Sequence, residues 1–258
     1  HRFAVVETGI EKPGEMDRVA RLVRPDVVLM LDVKRCHTNV FKTVESIAGE
    51  KEKLLASVGR RGCAVVNTDN PYIEQMAADV RGRVVRFGSA DGVDVRLLEA
   101  ESRWPNRLRL RVEVRGEIHE ISTRLVGTHW ASAIMAVLAT ALCVGIPVKE
   151  AIAMLGRVDP FWARMQPIEL PGTGAVVIRD EYNGSVDTLE AAFKVMEEAV
   201  ARRKILVLSD VSDSPRKLRV RARHLGLRAA QFADVAVFVG DYADRAAHGA
   251  REGGLPAG

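Results

Sequence analysis

The chain has 258 residues, 47% of them hydrophobic and 28% charged, with 38 basic against 34 acidic side chains and a net charge of +4. At roughly 100–200 residues per domain, that length holds one large domain or two smaller ones and can bury a core without staples. Such a composition excludes a disordered, collagen-like or low-complexity chain, and so even a charge balance does not by itself argue for nucleic acid.

Phe3–Val6 reads as a short first strand, and Pro13–Val23 has helical spacing at Met16, Val19, Ala20, Leu22 and Val23. Val27–Val33, nearly all apolar or β-branched, reads as a strand covered on both faces. Val44–Val58 is again helical, and Cys63–Val66 is a strand ending in Asn67-Thr68-Asp69-Asn70-Pro71, where Asn70 can cap a helix that carries Pro71 at its first position. Gly82–Phe87 closes a series whose alternation implies right-handed crossovers and a parallel sheet. Leu97–Val126 then holds three alternating runs around Trp104-Pro105-Asn106 and Gly116, an antiparallel meander beside that sheet. Helices follow at Trp130–Val144 and Val148–Leu155, and Asp159-Pro160-Phe161-Trp162 marks a domain boundary. Beyond it the rhythm restarts: strand Ala175–Ile178 and helix Thr188–Arg202, strand Ile205–Leu208 and helix Lys217–Phe232, strand Val235–Val239 and helix Tyr242–Arg251. No repeat at a solenoid period occurs.

The apolar run Ala131–Ile146 is interrupted by Ser132, Thr140 and Gly145 and falls short of the ~20 residues that span a bilayer, so it reads as a buried helix. Cys36, Cys63 and Cys143, far apart in apolar stretches, read as small core residues in a reducing compartment rather than a disulfide frame or zinc site. The chain begins inside a strand-like run, with no Met, and stops soon after a helix, which suggests a piece of a longer protein.

Ligands of open α/β sheets sit outside the carboxyl ends of the strands. Glu7-Thr8-Gly9 follows the first strand, His37 the second, and Glu50-Lys51-Glu52-Lys53 lies on the next helix. Asp180-Glu181-Tyr182-Asn183 and Ser209-Asp210 follow two later strands. Carboxylates and a histidine gathered there suit a magnesium–phosphate site. Each also has a plainer reading: Glu7 as a solvated residue or helix cap, Lys51 as part of a solvated helix face, Asp180–Asn183 as a turn. The phosphate loop G-x-x-x-x-G-K-[ST] is absent; Gly172-Thr173-Gly174 lacks the lysine and reads as a hairpin turn.

In order, these motifs resemble those of the Mur ligases, ATP-dependent amide-forming enzymes of peptidoglycan assembly, and most of all the branch that adds D-alanyl-D-alanine. Glu7-Thr8-Gly9 is similar to the family's Glu-Met-Gly, His37-Thr38-Asn39 to its His-Leu-Glu, and Ala48-Gly49-Glu50-Lys51 to its Ala-x-x-Lys, with Lys51 fourteen residues beyond His37. Asn67-Thr68-Asp69-Asn70-Pro71 resembles Asn-Ala-Asp-Asp-Pro, and Gly127-Thr128-His129-Trp130 the start of the family's long buried helix. Arg164 falls at the family's Gly-Arg, Asp180-Glu181-Tyr182-Asn183-Gly184-Ser185 at Asp-Ser-Tyr-Asn-Ala-Asn, and Leu208-Ser209-Asp210 at Leu-Gly-Asp. Ala133, Ala163, Arg179, Ser185, Val186 and Ser209 depart from the pattern, Ala133 where the family reads adenine with an asparagine.

The resemblance implies a parallel-sheet, ATPase-like central domain over residues 1–158 with a small antiparallel meander. A Rossmann-like doubly wound C-terminal domain over 159–258 follows, both being incomplete at their outer ends. It implies ATP and Mg2+, with Glu7 and His37 as metal ligands and Lys51 carbamoylated beside the second ion. Arg164, Asp180, Tyr182 and Asn183 would serve the nucleotide, with Lys51, His37 and Arg164 as the catalytic group. The substrates would be a nucleotide-linked muramoyl peptide or similar acid and an amino acid or dipeptide, joined through an acyl phosphate. The whole protein would be a cytoplasmic monomer without nucleic-acid or membrane partners, and this piece alone inactive. Alternatives are a cyanophycin-synthetase-like ligase on the same domains and a degenerate nucleotide-binding paralogue. Nucleic-acid binding through Arg216, Lys217, Arg219, Arg221, Arg223 and Arg228 is disfavoured, because these circle their helix with no interleaved aromatic residue.

Overall fold

Cys63–Asn67 carries no charge and forms strand β2, buried along its whole length, as a strand covered on both faces must be. In the computed structural model, which describes residues 1–34, 40–182, 186–211 and 218–256, β2 lies between β1 (Val27–Met30) and β3 (Arg83–Gly88). It is parallel to both, with Val28 opposite Ala64 and Val65 opposite Val85. β4 (Val95–Glu101) continues parallel to β3, and β5 (Arg109–Val114) and β6 (Glu117–Ser122) follow in chain order in the same six-stranded sheet. Arg115 and Gly116, at φ 49° and 86°, form the two-residue turn between β5 and β6. A connection that short joins antiparallel neighbours, and positive φ at both positions matches the strand twist.

Helices α1 (Glu15–Val23), α2 (Val44–Ala56) and α3 (Pro71–Ala77) follow, and α2 and α3 start where local side-chain chemistry directs. Thr43 Oγ1 accepts the Ser46 N–H at 3.2 Å, and Asn70 Oδ1 accepts the Tyr72 and Ile73 N–H groups at 3.1 and 3.4 Å. Ile47, Leu54, Leu55, Ile73 and Met76 from α2 and α3 close over Ala64 and Val66 of β2. Alternate β2 residues point the other way, where α4 (Ala131–Val144) packs on β1, β2 and β3 and is followed by α5 (Val148–Leu155).

Two expectations are corrected here. Phe3–Val6 forms no strand, and Val5 is 99% exposed; an apolar run becomes a strand only where a ladder partner receives it. Cys63 and Cys143 are not independent core residues but form a disulfide, with Cα atoms 6.1 Å apart. The first residue of β2 and the last turn of α4 bring them together across 80 residues of sequence. Cys36 lies outside the described residues.

Glu50, read as part of a solvated charge run, is only 5% exposed. Its Oε1 accepts the Met16 N–H at 2.9 Å and its Oε2 pairs with Lys53 Nζ at 3.0 Å, which fixes the start of α1 against α2. Burial pushes the Glu50 carboxyl up, but the Gly14 and Met16 N–H groups and the Lys53 ammonium outweigh it and hold the group below its ordinary value. Because the folded value is the lower one, the stabilisation is full above the unfolded value near pH 4.5 and is lost as pH falls through the folded value. Glu50→Ala is expected to lower stability at pH 7 by about 3 kcal/mol, with the gap to the parent narrowing towards pH 3. Urea unfolding at both pH values measures it; equal gaps would show that charge plays no part.

The chain divides into two compact units. One comprises residues 1–100, 110–121 and 131–156; the other comprises 101–109, 122–130 and 157–258. In the second, β7 (Gln166–Leu170) and β8 (Ala175–Arg179) form an antiparallel hairpin through Gly172 and Gly174, at φ 76° and 67°. The strand at Ala175 was expected within the second parallel sheet. Instead the glycine turn folds it back on β7, and β9 (Ile205–Ser209) with β10 (Val235–Val239) makes a separate parallel pair. Helices α6 (Val186–Glu198), α7 (Leu218–Ala229) and α8 (Ala243–Glu252) complete it. A Cβ on Gly226 would strike the Ala246 carbonyl and one on Gly249 that of Arg223, so the glycines let α7 and α8 approach closely. The protein is thus mixed α/β with a mostly parallel central sheet, and among the described residues no helix is long and apolar enough to cross a membrane.

Candidate functional site

In the first unit, polar side chains converge beyond the carboxyl ends of β1 and β2. Asn67 Nδ2 donates to the Leu31 carbonyl at 2.9 Å, and Asn70 Nδ2 donates to Asp32 Oδ1 at 2.6 Å and to the Val33 carbonyl at 3.1 Å. Lys51 Nζ reaches across from α2 to the Asp32 carbonyl at 2.8 Å, while Lys34 Nζ pairs with Asp32 Oδ2 at 2.8 Å. Asp69 Oδ1 takes the N–H and hydroxyl of Ser89 at 2.8 and 2.7 Å, tying the next turn to the end of β3. Lys51 is therefore aimed at a strand end rather than spread on a solvated face. Asp32, the hub of these contacts, was concealed in the sequence inside a run read as strand.

The proposed metal ligands are not gathered by the described residues. Glu7 is exposed and makes no hydrogen bond or ion pair among them, Lys51 donates its ammonium to a carbonyl, and His37 lies outside them. No three His, Cys, Asp or Glu side chains among the described residues come close enough to hold a metal. One exposed carboxylate and a cationic amine do not fit a magnesium ion by themselves, because hard cations take several oxygen donors.

In the second unit, three predicted nucleotide residues do come together. Asp180, half-buried at the end of β8, accepts the Met165 N–H on Oδ1 at 2.9 Å, and Tyr182 N–H donates to the Ala163 carbonyl at 3.1 Å. Arg164 lies between, its guanidinium 4.6 Å from the Tyr182 ring centroid. Burial pushes the Asp180 carboxyl up, opposed by the Met165 N–H and the Arg164 charge. Ala163 and Met165 both have left-handed backbones, at φ 53° and 47°, a conformation costing about 1–2 kcal/mol each in residues other than glycine. The Asp180 carboxylate and the Gln166 side chain, which accepts the Ala163 N–H at 3.1 Å, hold that turn in place. The strain is thus held by hydrogen bonds on both sides of Arg164. A fixed cation over an aromatic ring fits a nucleotide, which offers both anionic phosphate and a flat base. Asn183, the fourth predicted residue, lies outside the described residues.

The family model of the Mur ligase middle domain matches residues 1–141. The chain belongs to the Mur ligase family. It is 24% identical over 216 residues to the UDP-N-acetylmuramoyl-tripeptide–D-alanyl-D-alanine ligase of Mycobacterium bovis, covering 82% of this chain and 42% of that one. It is 26% identical over 214 residues to the enzyme of the same name from Treponema pallidum, covering 83% and 44%. Among solved structures, MurF from Acinetobacter baumannii superposes with a TM-score of 0.87 at 23% identity, over 98% of this chain and 54% of that one. MurF from Thermotoga maritima, in complex with ADP, gives 0.76 at 18% identity, over 91% and 54%. These likenesses show the fold. This Mur ligase chain spans less than half of the length of the curated relatives it matches. Glu7, His37 and Lys51 lie inside the matched segment, while Arg164, Asp180, Tyr182 and Asn183 lie beyond it.

Proposed function

We propose that this protein is the ATP-dependent ligase that joins D-alanyl-D-alanine to a nucleotide-linked muramoyl peptide in peptidoglycan precursor synthesis, acting as a cytoplasmic monomer. Residues 1–158 would be its central domain and 159–258 its C-terminal domain. The family match over residues 1–141 carries this reading, and the nucleotide-fitting group around Arg164 supports it. ATP supplies a phosphoryl group that converts the acid to an acyl phosphate, from which the amine displaces phosphate. Arg164 would bind the anionic phosphates, Asp180 would hold the Arg164 turn, and Tyr182 with Asn183 would border the nucleoside. Glu7, His37 and a carbamoylated Lys51 are assigned to magnesium on the family resemblance alone, and no step is derived through that ion.

The test supplies the full-length protein that contains this chain with ATP, magnesium, UDP-N-acetylmuramoyl-tripeptide and D-alanyl-D-alanine, and follows ADP and amide product together. ADP release that requires both substrates, matched by amide, is the expected result. Nucleotide hydrolysis that ignores either substrate, or that yields no amide, would overturn the assignment.

A further inference from the structure

Trp162 stands beside the Arg164 turn, and nothing in the nucleotide reading assigns it a part. It is 63% exposed although it is the largest side chain of its segment, and the neighbouring Tyr182 is 47% exposed. Its orientation is nonetheless fixed on two sides. The Tyr182 ring meets it edge-on at 6.0 Å and 77°, and the Arg179 guanidinium lies 5.2 Å from its ring centroid. Arg179 is itself paired with Glu181, so its charge is already met there. Arg164 holds Tyr182 in turn, and it makes no ion pair among the described residues. Contacts thus link Arg179 to Trp162, Trp162 to Tyr182 and Tyr182 to Arg164.

We infer that Trp162 is the base-stacking surface of the nucleotide site and that it takes a purine, whose phosphates run towards Arg164. This rests on the nucleotide reading given above. An indole kept in one orientation and open to solvent loses little freedom when a flat ring is laid on it, and stacking on such a platform does not need hydrogen-bond readout. The charge pattern selects the same ligand class: an aromatic surface for the base, then the Arg164 guanidinium, which forms no ion pair among the described residues, for the anion. A hydrophobic peptide would make no use of the Arg164 guanidinium, and a bare phosphate would leave the indole uncovered.

The experiment titrates the protein, in magnesium-containing buffer, with ATP and separately with inorganic tripolyphosphate. It compares the parent with Trp162→Ala and Trp162→Phe. Because the side chain is mostly exposed, all three should melt alike. The expected result is that Trp162→Ala weakens ATP about tenfold, leaves tripolyphosphate unchanged, and is largely rescued in Trp162→Phe. Unchanged ATP affinity in Trp162→Ala would overturn the inference while leaving the nucleotide reading intact. An equal loss for ATP and tripolyphosphate would also overturn it, since Trp162 would then act by positioning Arg164. A parent protein that binds no ATP would remove the nucleotide reading and this inference together.

Discussion

Under the proposed ligase reading, Lys51→Ala in the full-length protein is expected to lower ATP-dependent ligation by about a hundredfold or more, the usual cost of removing a group that sets charge at a reacting phosphoryl centre. The melting temperature should move by no more than about 4 °C, because the folded state loses one half-exposed hydrogen bond, to the Asp32 carbonyl at 2.8 Å. Two chemistries would give that loss of activity, and Lys51→Arg separates them. Arginine keeps the positive charge and can still donate to Asp32, but it cannot add CO2 at a primary amine. In the carbamate reading, the lysine nitrogen bonds to the carbon of CO2 and releases a proton, leaving an anionic two-oxygen group of the kind hard cations prefer. Lys51→Arg should then be as inactive as Lys51→Ala, and stripping bicarbonate should slow the parent alone. Full activity in Lys51→Arg would make Lys51 an ammonium that orders the Asp32 loop. Full activity in Lys51→Ala would return it to an ordinary helix-face lysine.

How far the sequence foretold the molecule depends on what each feature needs. β1, β2, β3 and the helices between them were legible because apolar period and cap chemistry act within a few residues. Asn70 and Pro71 announce α3 whatever surrounds them, and Gly172-Thr173-Gly174 announces the β7–β8 turn. What was not legible depends on partners distant in the chain. The burial of Glu50 is decided by where α1 begins, 34 residues away along the chain, so no local pattern distinguishes it from the solvated charges beside it. Phe3–Val6 has strand composition without a strand partner, and composition alone cannot report that. Within the site, Arg164, Asp180 and Tyr182 were found through resemblance, and the structure brings them together. Asp32 was hidden in a strand reading, and Trp162 was taken only as punctuation where helical signal stops. A tryptophan beside Asp-Pro in a boundary segment does leave one signal: so large an apolar side chain is seldom placed in a polar turn without something to contact.

The disulfide is the plainest case of a feature beyond local reading, and it yields the largest expected stability effect. Three cysteines permit three pairings, and sequence offers no preference among them. Here the bond closes 80 residues, a loop for which the chain-entropy account gives about 4–5 kcal/mol of stabilisation through restriction of the unfolded state. Both ends lie in the first unit, so that unit's unfolding should respond. Cys143→Ala, at the half-buried end of the pair, is expected to lower its melting temperature by on the order of 10–15 °C. Reduction of the parent should produce the same shift, because it removes the same restriction, and should leave Cys143→Ala unaffected. If a reductant does not change the parent's melting, the two sulfurs stand as neighbouring thiols and contribute only packing. The comparison also decides what the pair does in a reducing compartment, where thiols predominate: there the first unit would keep its core of Ile47, Leu55, Val66 and Ile73 but not the stabilisation of the closed loop.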